Sequence, residues 1–241
     1  MNDSPPIAVP PPSFGTLCRS LQIELEPAEI DRLGGFLSLL LEANERFNLT
    51  RITDHESAWM RHIGDSLTLL PLIASARASR VIDIGSGGGL PALPLAITLP
   101  DVSFVLVEST GKKATFLQST AAALGLGNVS VINGRAEEIG RDRDRHREQY
   151  DIVTARAVGK LNVLLELTTP LARVGGHVLA IKGERANEEI AEAKPALHAL
   201  HCHVTNTLRT ETGTIVTIEK QRRTPKLYPR RPGEPKRAPL R

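Results

Sequence analysis

The stretch VIDIGSGGGLPALPLAIT, residues 81–98, sets four glycines between a β-branched run and an apolar segment that opens at Pro91. Such a run suits a buried strand, and the glycines let the chain turn tightly as soon as the strand ends. Strand, turn and helix in immediate succession are the opening unit of an α/β sheet. A chain of 241 residues, 41% hydrophobic, is long enough to build one such domain with a small appendage.

Around this unit the chain divides into four parts. Residues 1–13 are Pro-rich and predict a disordered tail. Residues 14–79 predict a helical extension: in Pro27–Phe47, Ile30, Leu33, Leu37, Leu40 and Leu41 recur at helical spacing, Pro27 suits a first turn, and Asp54 can cap a following helix. Residues 80–220 alternate. Strands at Arg80–Ile84, 103–107, 129–132, 150–154 and 177–181 are separated by helices or turns, with a further helix at 184–199. Alternation implies parallel crossovers and a doubly wound sheet. HCHVTNTLR and GTIVTIEK then follow with only a turn around Thr212 and Gly213 between them, which predicts an antiparallel hairpin at the end of the sheet.

Residues 221–241 form a basic tail. Lys220 to Arg241 hold nine Lys or Arg against Glu234 alone, so the formal charge of +3 for the whole chain originates there. Interleaved with Pro and Tyr228, these cations suit either a polyphosphate surface or a solvated tail. Cys18 and Cys202 stand far apart without a CxxC partner, so neither a zinc site nor a disulfide framework is expected. The N-terminus lacks a basic region leading into an apolar one, and the longest apolar stretch, residues 87–100, is short and broken by three prolines. A cytoplasmic protein with no membrane contact is expected, and nothing requires more than a monomer.

The glycine loop discriminates between cofactors. A dinucleotide loop wants G-x-G-x-x-G, but Leu90 occupies the third glycine's position. The segment fits D-x-G-x-G-x-G better, as Asp83, Gly85, Gly87 and Gly89, with Glu108 closing the second strand. S-adenosylmethionine matches this set: an acid beside the loop faces its cationic end, and a carboxylate after the second strand accepts ribose hydroxyls.

Seven blocks in this order also resemble a known family: NLTRITDHESAWMRHIGDS, VIDIGSGGGLPALPLAI, GKKATFL, NGRAEEI, TARAVGKL, IKG and TPKLYPRRPGEPKRAPL. The chain is similar to the bacterial 16S ribosomal RNA guanine-N7 methyltransferases of the small-subunit methyltransferase G family, also called glucose-inhibited division protein B. The resemblance implies a class I S-adenosylmethionine-dependent methyltransferase, with a mostly parallel seven-stranded sheet and an antiparallel last strand, preceded by N-terminal helices. It implies methylation of N7 of guanine 527 in the 530 loop of the 16S rRNA, within the small ribosomal subunit or its precursor. By motif, the cofactor contacts would be Gly85 and Leu90, Glu108 with Ser109 and Thr110, Ala136 and Glu137, and Arg156. Two departures stand out: Ser86 and Gly88 where the family often has Thr and Pro, and Glu108 where it often has Asp.

The chemistry asks little of side chains. Guanine N7 carries a lone pair and no proton, so transfer needs alignment rather than a general base, and no catalytic nucleophile is expected. Arg61, His62, Asp65 and Ser66 invite a hydrolytic reading, yet one helix cannot deliver triad geometry. Arg61, His62 and Asp65 are candidates for the cofactor or base pocket. Lys182, just past the fifth strand, and Arg222, Arg223, Lys226, Arg230 and Arg231 of the tail are candidates for RNA contact. The run RDRDRHRE, residues 141–148, nearly cancels its own charge and predicts a solvated loop. His201 and His203 lack further ligands for a metal. A methyltransferase acting on another RNA, a small molecule or a protein, and a non-catalytic RNA-binding protein on the same fold, are the competing readings.

Overall fold

Short β-branched segments form the seven strands: β1 (Arg80–Ile84), β2 (Ser103–Glu108), β3 (Val129–Asn133), β4 (Tyr150–Arg156), β5 (Ala172–Lys182), β6 (Cys202–Arg209) and β7 (Thr214–Lys220). A computed structural model describes residues 8–210 and 212–241. The strands make one sheet in the order β3-β2-β1-β4-β5-β7-β6. Strands β1 to β5 run parallel, and β7 lies antiparallel between β5 and β6. The expected doubly wound sheet with a terminal hairpin is therefore present. Strand order reverses between β1 and β4, and ligands of such sheets bind outside the carboxyl ends at that switch point.

Each face of the sheet carries its own core. On one, Leu33, Phe36, Leu37 and Leu40 of the helix Pro27–Phe47 are fully buried against the helices that follow β1 and β2. Pro27 starts that helix and Glu29 closes a capping box by accepting the Glu26 N–H at 2.8 Å. The N-terminal extension thus shares a core with the main domain. Residues 1–7 lie outside the described residues, but the rest of the expected loose N-terminus is held: Ala8 N donates to Ser38 Oγ (3.1 Å), and Pro12 opens the helix Pro12–Ser20, which buries Phe14 against Trp59. Asp54 caps the next helix by accepting the Ser57 N–H (2.8 Å), and the chain continues into a π-helical turn, Trp59–Gly64. Such turns are rare and recur at functional sites.

On the other face, the helices Leu161–Thr168, Ala186–Glu192 and Lys194–Ala199 cover β4, β5 and β7. The last two replace the single helix expected over 184–199; Ala193 and Pro195 divide them. Residues 221–241 fold back over this face, where Tyr228 and Leu240 pack on the core. The run 141–148 departs from the solvated loop expected of it, because Arg147 turns inward to serve backbone carbonyls and Glu148 binds the buried Lys220 at 2.8 Å. No helix among the described residues is long and apolar enough to cross a membrane.

Candidate functional site

At the carboxyl end of β1, the chain turns from Gly85 to Leu90 before entering the helix Ala92–Thr98. Gly85 N and Ser86 N both donate to Val107 O, tying the loop to β2, while Gly89 N and Leu90 N donate to Ser86 O. Gly89 has φ +89°, and a Cβ there would stand 2.5 Å from Leu93 Cδ1. Only glycine lets loop and helix approach this closely. Glu108, at the end of β2, fixes the loop from the side: Oε2 accepts the Gly87 N–H (3.0 Å) and Oε1 the Thr110 N–H (2.7 Å). Each oxygen keeps a further lone pair for another donor.

Register places Asp83 between Leu106 of β2 and Thr154 of β4. Thr154 Oγ1 donates to Asp83 Oδ1 at 2.7 Å, while Oδ2 is buried without a partner among the described residues. Asp83 is 1% exposed, and burial pushes its pKa up to about 6; the Thr154 hydrogen bond opposes this, the Glu108 charge adds to it, and the Arg156 charge opposes it, while Ser86 Oγ donates to the Asp83 carbonyl at 3.2 Å. Arg156 lies two residues after Thr154 on β4. Its Nη2 donates to Arg61 O (3.1 Å) and stands 3.9 Å from Asp65 Oδ2, while Nη1 is buried without a partner among the described residues. Burial lowers its pKa, with the Asp65 charge opposing. An unpartnered acceptor and an unpartnered donor, of opposite charge and near enough to perturb each other's titration, therefore flank the end of β1 and β4.

The π-helical turn supplies the site's far wall. It carries His62 to Thr50, with Nε2 and Oγ1 2.8 Å apart, and leaves His62 Nδ1 buried without a partner among the described residues. Burial, and then the Arg156 charge, lower the His62 pKa to about 4, so the ring is neutral at pH 7. Asp65 accepts a hydrogen bond from Thr212 Oγ1 of the turn between β6 and β7. Beside this link a polar recess of about 390 Å³ is lined by Arg61, Arg209, Thr210 and Thr212. Neither guanidinium in it has a partner among the described residues.

A cleft of about 240 Å³ runs from Gly85 past Val107 and Ser109 to Gly134, Ala136 and Glu137. The sheet edge thus brings together Asp83, Gly85, Gly87, Gly89, Leu90, Glu108, Ser109, Thr110 and Arg156, with Ala136 and Glu137 across the end of β3. Glu137 differs in one respect from the expected contact. Its side chain is buried and accepts the Gly233 N–H at 2.8 Å, so its carboxylate is turned toward the C-terminal segment.

Several expected RNA contacts are placed elsewhere. Lys182 is not a free cation on the edge: it is buried, donates to Gly159 O (2.6 Å) and pairs with Glu189 (2.7 Å), because desolvating an ammonium demands a counter-charge. Arg222, Arg223 and Lys226 follow β7 at the amino edge of the parallel strands, opposite the glycine loop, and Arg223 stands 3.8 Å from Glu148. Arg230 is engaged by the fully buried Glu166 at 2.6 Å, whereas Arg231 is exposed. Thr154, Thr212 and Arg209 join the site without a place in the sequence expectations. Only Thr154 has a sequence signal, its two-residue spacing from Arg156 on one strand face.

Known proteins resemble this chain in sequence and in fold. A family model for rRNA small subunit methyltransferase G matches residues 29–216. Ribosomal RNA small subunit methyltransferase G of Sorangium cellulosum is 48% identical over 223 residues, 92% of each chain. The Lactobacillus delbrueckii protein of the same name is 40% identical over 238 residues, 95% of this chain and 99% of that one. Among solved structures, the O-methyltransferase from Bacillus cereus in complex with SAH matches with a TM-score of 0.62 at 19% identity, over 86% of this chain and 97% of that one. A putative O-methyltransferase from Klebsiella pneumoniae gives 0.60 at 17%, over 87% and 96%. The structural likenesses show the fold, that of class I methyltransferases; the sequence relatives show the family, and the chain belongs to the rRNA small subunit methyltransferase G family.

Proposed function

We propose that the protein transfers a methyl group from S-adenosylmethionine to N7 of guanine 527 in 16S rRNA. One observation carries the cofactor reading. Asp83 Oδ2 and Arg156 Nη1 are buried, oppositely charged and without partners among the described residues, at the switch point of the sheet. An α-amino-acid group, ammonium and carboxylate together, satisfies both at once, and buried polar atoms of this kind require a partner. Glu108 holds the loop with one lone pair of each oxygen and offers the others to ribose hydroxyls. Ser109, Ala136 and Glu137 belong to the cleft that would take the nucleoside. When bound, S-adenosylmethionine supplies a methyl carbon on a cationic sulfur.

The chain's own task is to hold and align. N7 needs no deprotonation, and the neutral His62 and the hydrogen-bonded Asp83 are suited to orientation rather than proton transfer. Alignment of reacting atoms supplies roughly 7–11 kcal/mol of a barrier in favourable cases. Arg61 and Arg209, beside the Asp65–Arg156 link, are the cations placed to meet RNA phosphate. The reading implies the small ribosomal subunit or its precursor as partner, a monomeric enzyme and a cytoplasmic site of action. The test is incubation with labelled S-adenosylmethionine and 16S rRNA or small subunits from cells lacking this protein, followed by mapping of the product. Label on guanine 527, released as 7-methylguanine, is expected. Label on a protein or a different nucleotide would refute the assignment.

A further inference from the structure

The C-terminal segment reads in sequence as an RNA-binding tail, but its backbone is bound into the protein at every few residues. The buried Arg147 donates to the carbonyls of Thr224 (2.9 Å), Pro225 (3.3 Å) and Tyr228 (2.8 Å), and Arg141 Nε donates to Pro229 O (2.9 Å). Arg230 then grips Glu166 through two nitrogens, Nε to Oε1 at 2.9 Å and Nη2 to Oε2 at 2.6 Å, while its own N–H donates to Oε1 at 2.8 Å. Glu166 is 0% exposed, on the helix Leu161–Thr168. A carboxylate at that depth needs a bound cation, and the planar guanidinium fork is the group that serves both oxygens. Three residues later Gly233 N donates to Glu137, and Asn162 Nδ2 holds Leu240 O at 3.3 Å.

These anchors bracket Pro235 and Lys236, which line the same cleft as Gly85, Ser109 and Ala136. Pro235 is buried, and Val158, Val163 and Leu167 line the cleft with it, an apolar surface of the kind a purine ring occupies. We propose that the C-terminal segment is a wall of the cofactor site: Pro235 contacts the adenosine part of the methyl donor, and Arg230 with Glu166 are positioning residues that hold Pro235 in place. This rests on the reading of the cleft as the S-adenosylmethionine site. The tail's basic composition then reflects, in part, internal pairing rather than RNA contact.

The test is calorimetric binding of S-adenosylhomocysteine, which cannot react, to the full chain and to Pro235→Ala, Arg230→Ala, Arg230→Lys and Lys226→Ala, each below its melting midpoint. Pro235→Ala removes two ring methylenes and should weaken binding by up to about tenfold. Arg230→Ala should weaken it at least as much, Arg230→Lys should restore part of the loss, and Lys226→Ala, at the far edge, should bind as the wild type. RNA affinity of Pro235→Ala, measured without cofactor across a salt series, should keep the wild-type slope. Wild-type binding of S-adenosylhomocysteine with unchanged affinity in both Pro235→Ala and Arg230→Ala would overturn the proposal alone. No binding by the wild type would overturn the cofactor reading with it.

Discussion

Asp83 sets stability against function, and the conflict can be measured. Burial raises its pKa from the ordinary 3.8 to about 6. A carboxyl raised on folding favours the folded state while it is protonated. That contribution is fully present below the unfolded pKa and is lost as pH rises through the folded one. At 1.36 kcal/mol for each pH unit, the loss amounts to about 3 kcal/mol in full, roughly half of it between about pH 5 and about pH 8. Asp83→Asn abolishes the titration while keeping an acceptor for Thr154. Urea unfolding of both proteins without cofactor should therefore show the wild type losing about 1 to 2 kcal/mol relative to the variant over that range. Cofactor affinity should move the other way: the wild type binds S-adenosylhomocysteine more weakly below about pH 6, where the carboxyl protonates, and Asp83→Asn binds poorly throughout. A stability difference that does not change with pH would refute the reasoning from burial.

Other perturbations separate fold from site. Gly87 has φ +54° but open space where a methyl would go, the nearest atom being Gly85 O at 3.8 Å, whereas Gly89 would drive a Cβ into Leu93. Thermal melts should show Gly87→Ala costing about 1–2 kcal/mol, with weakened cofactor binding, and Gly89→Ala costing about 3 kcal/mol or more. Arg147→Ala removes the buried donor to four carbonyls, those of Gly140, Thr224, Pro225 and Tyr228, and should speed amide exchange and proteolysis within residues 224–230; a protected segment would contradict its anchoring role. The double variant Arg61→Ala with Arg209→Ala should weaken RNA binding and flatten its salt slope by about 0.7 for each lost phosphate contact, leaving S-adenosylhomocysteine affinity unchanged. An unaltered slope would place the RNA elsewhere.

Much of the fold is legible in the sequence because the information is local. Alternating β-branched runs and helices announce a parallel sheet, a turn without a helix announces the hairpin, and Asp83 with its glycines marks the switch point. The tail is opaque because its fate depends on partners far along the chain. Arg230 meets Glu166 across 64 positions and Gly233 meets Glu137 across 96, and a run of charges looks the same whether its partner is phosphate or a buried carboxylate. Lys182 misleads for the same reason, since Glu189 sits one helix later. Arg147 hides in a run whose charges nearly cancel, where composition carries no sign of which arginine turns inward. The π-helical turn at Trp59–Gly64 has no periodic signature, yet it sets Arg61 O against Arg156.

The central claim concerns where the methyl donor sits. A crystal structure of the full chain grown with S-adenosylhomocysteine tests it most directly. The amino-acid end should bridge Asp83 and Arg156, with the ribose on Glu108 and the adenine between Ala136 and Pro235. Density for the ligand outside this edge, with Asp83 Oδ2 and Arg156 Nη1 still unmatched, would contradict it.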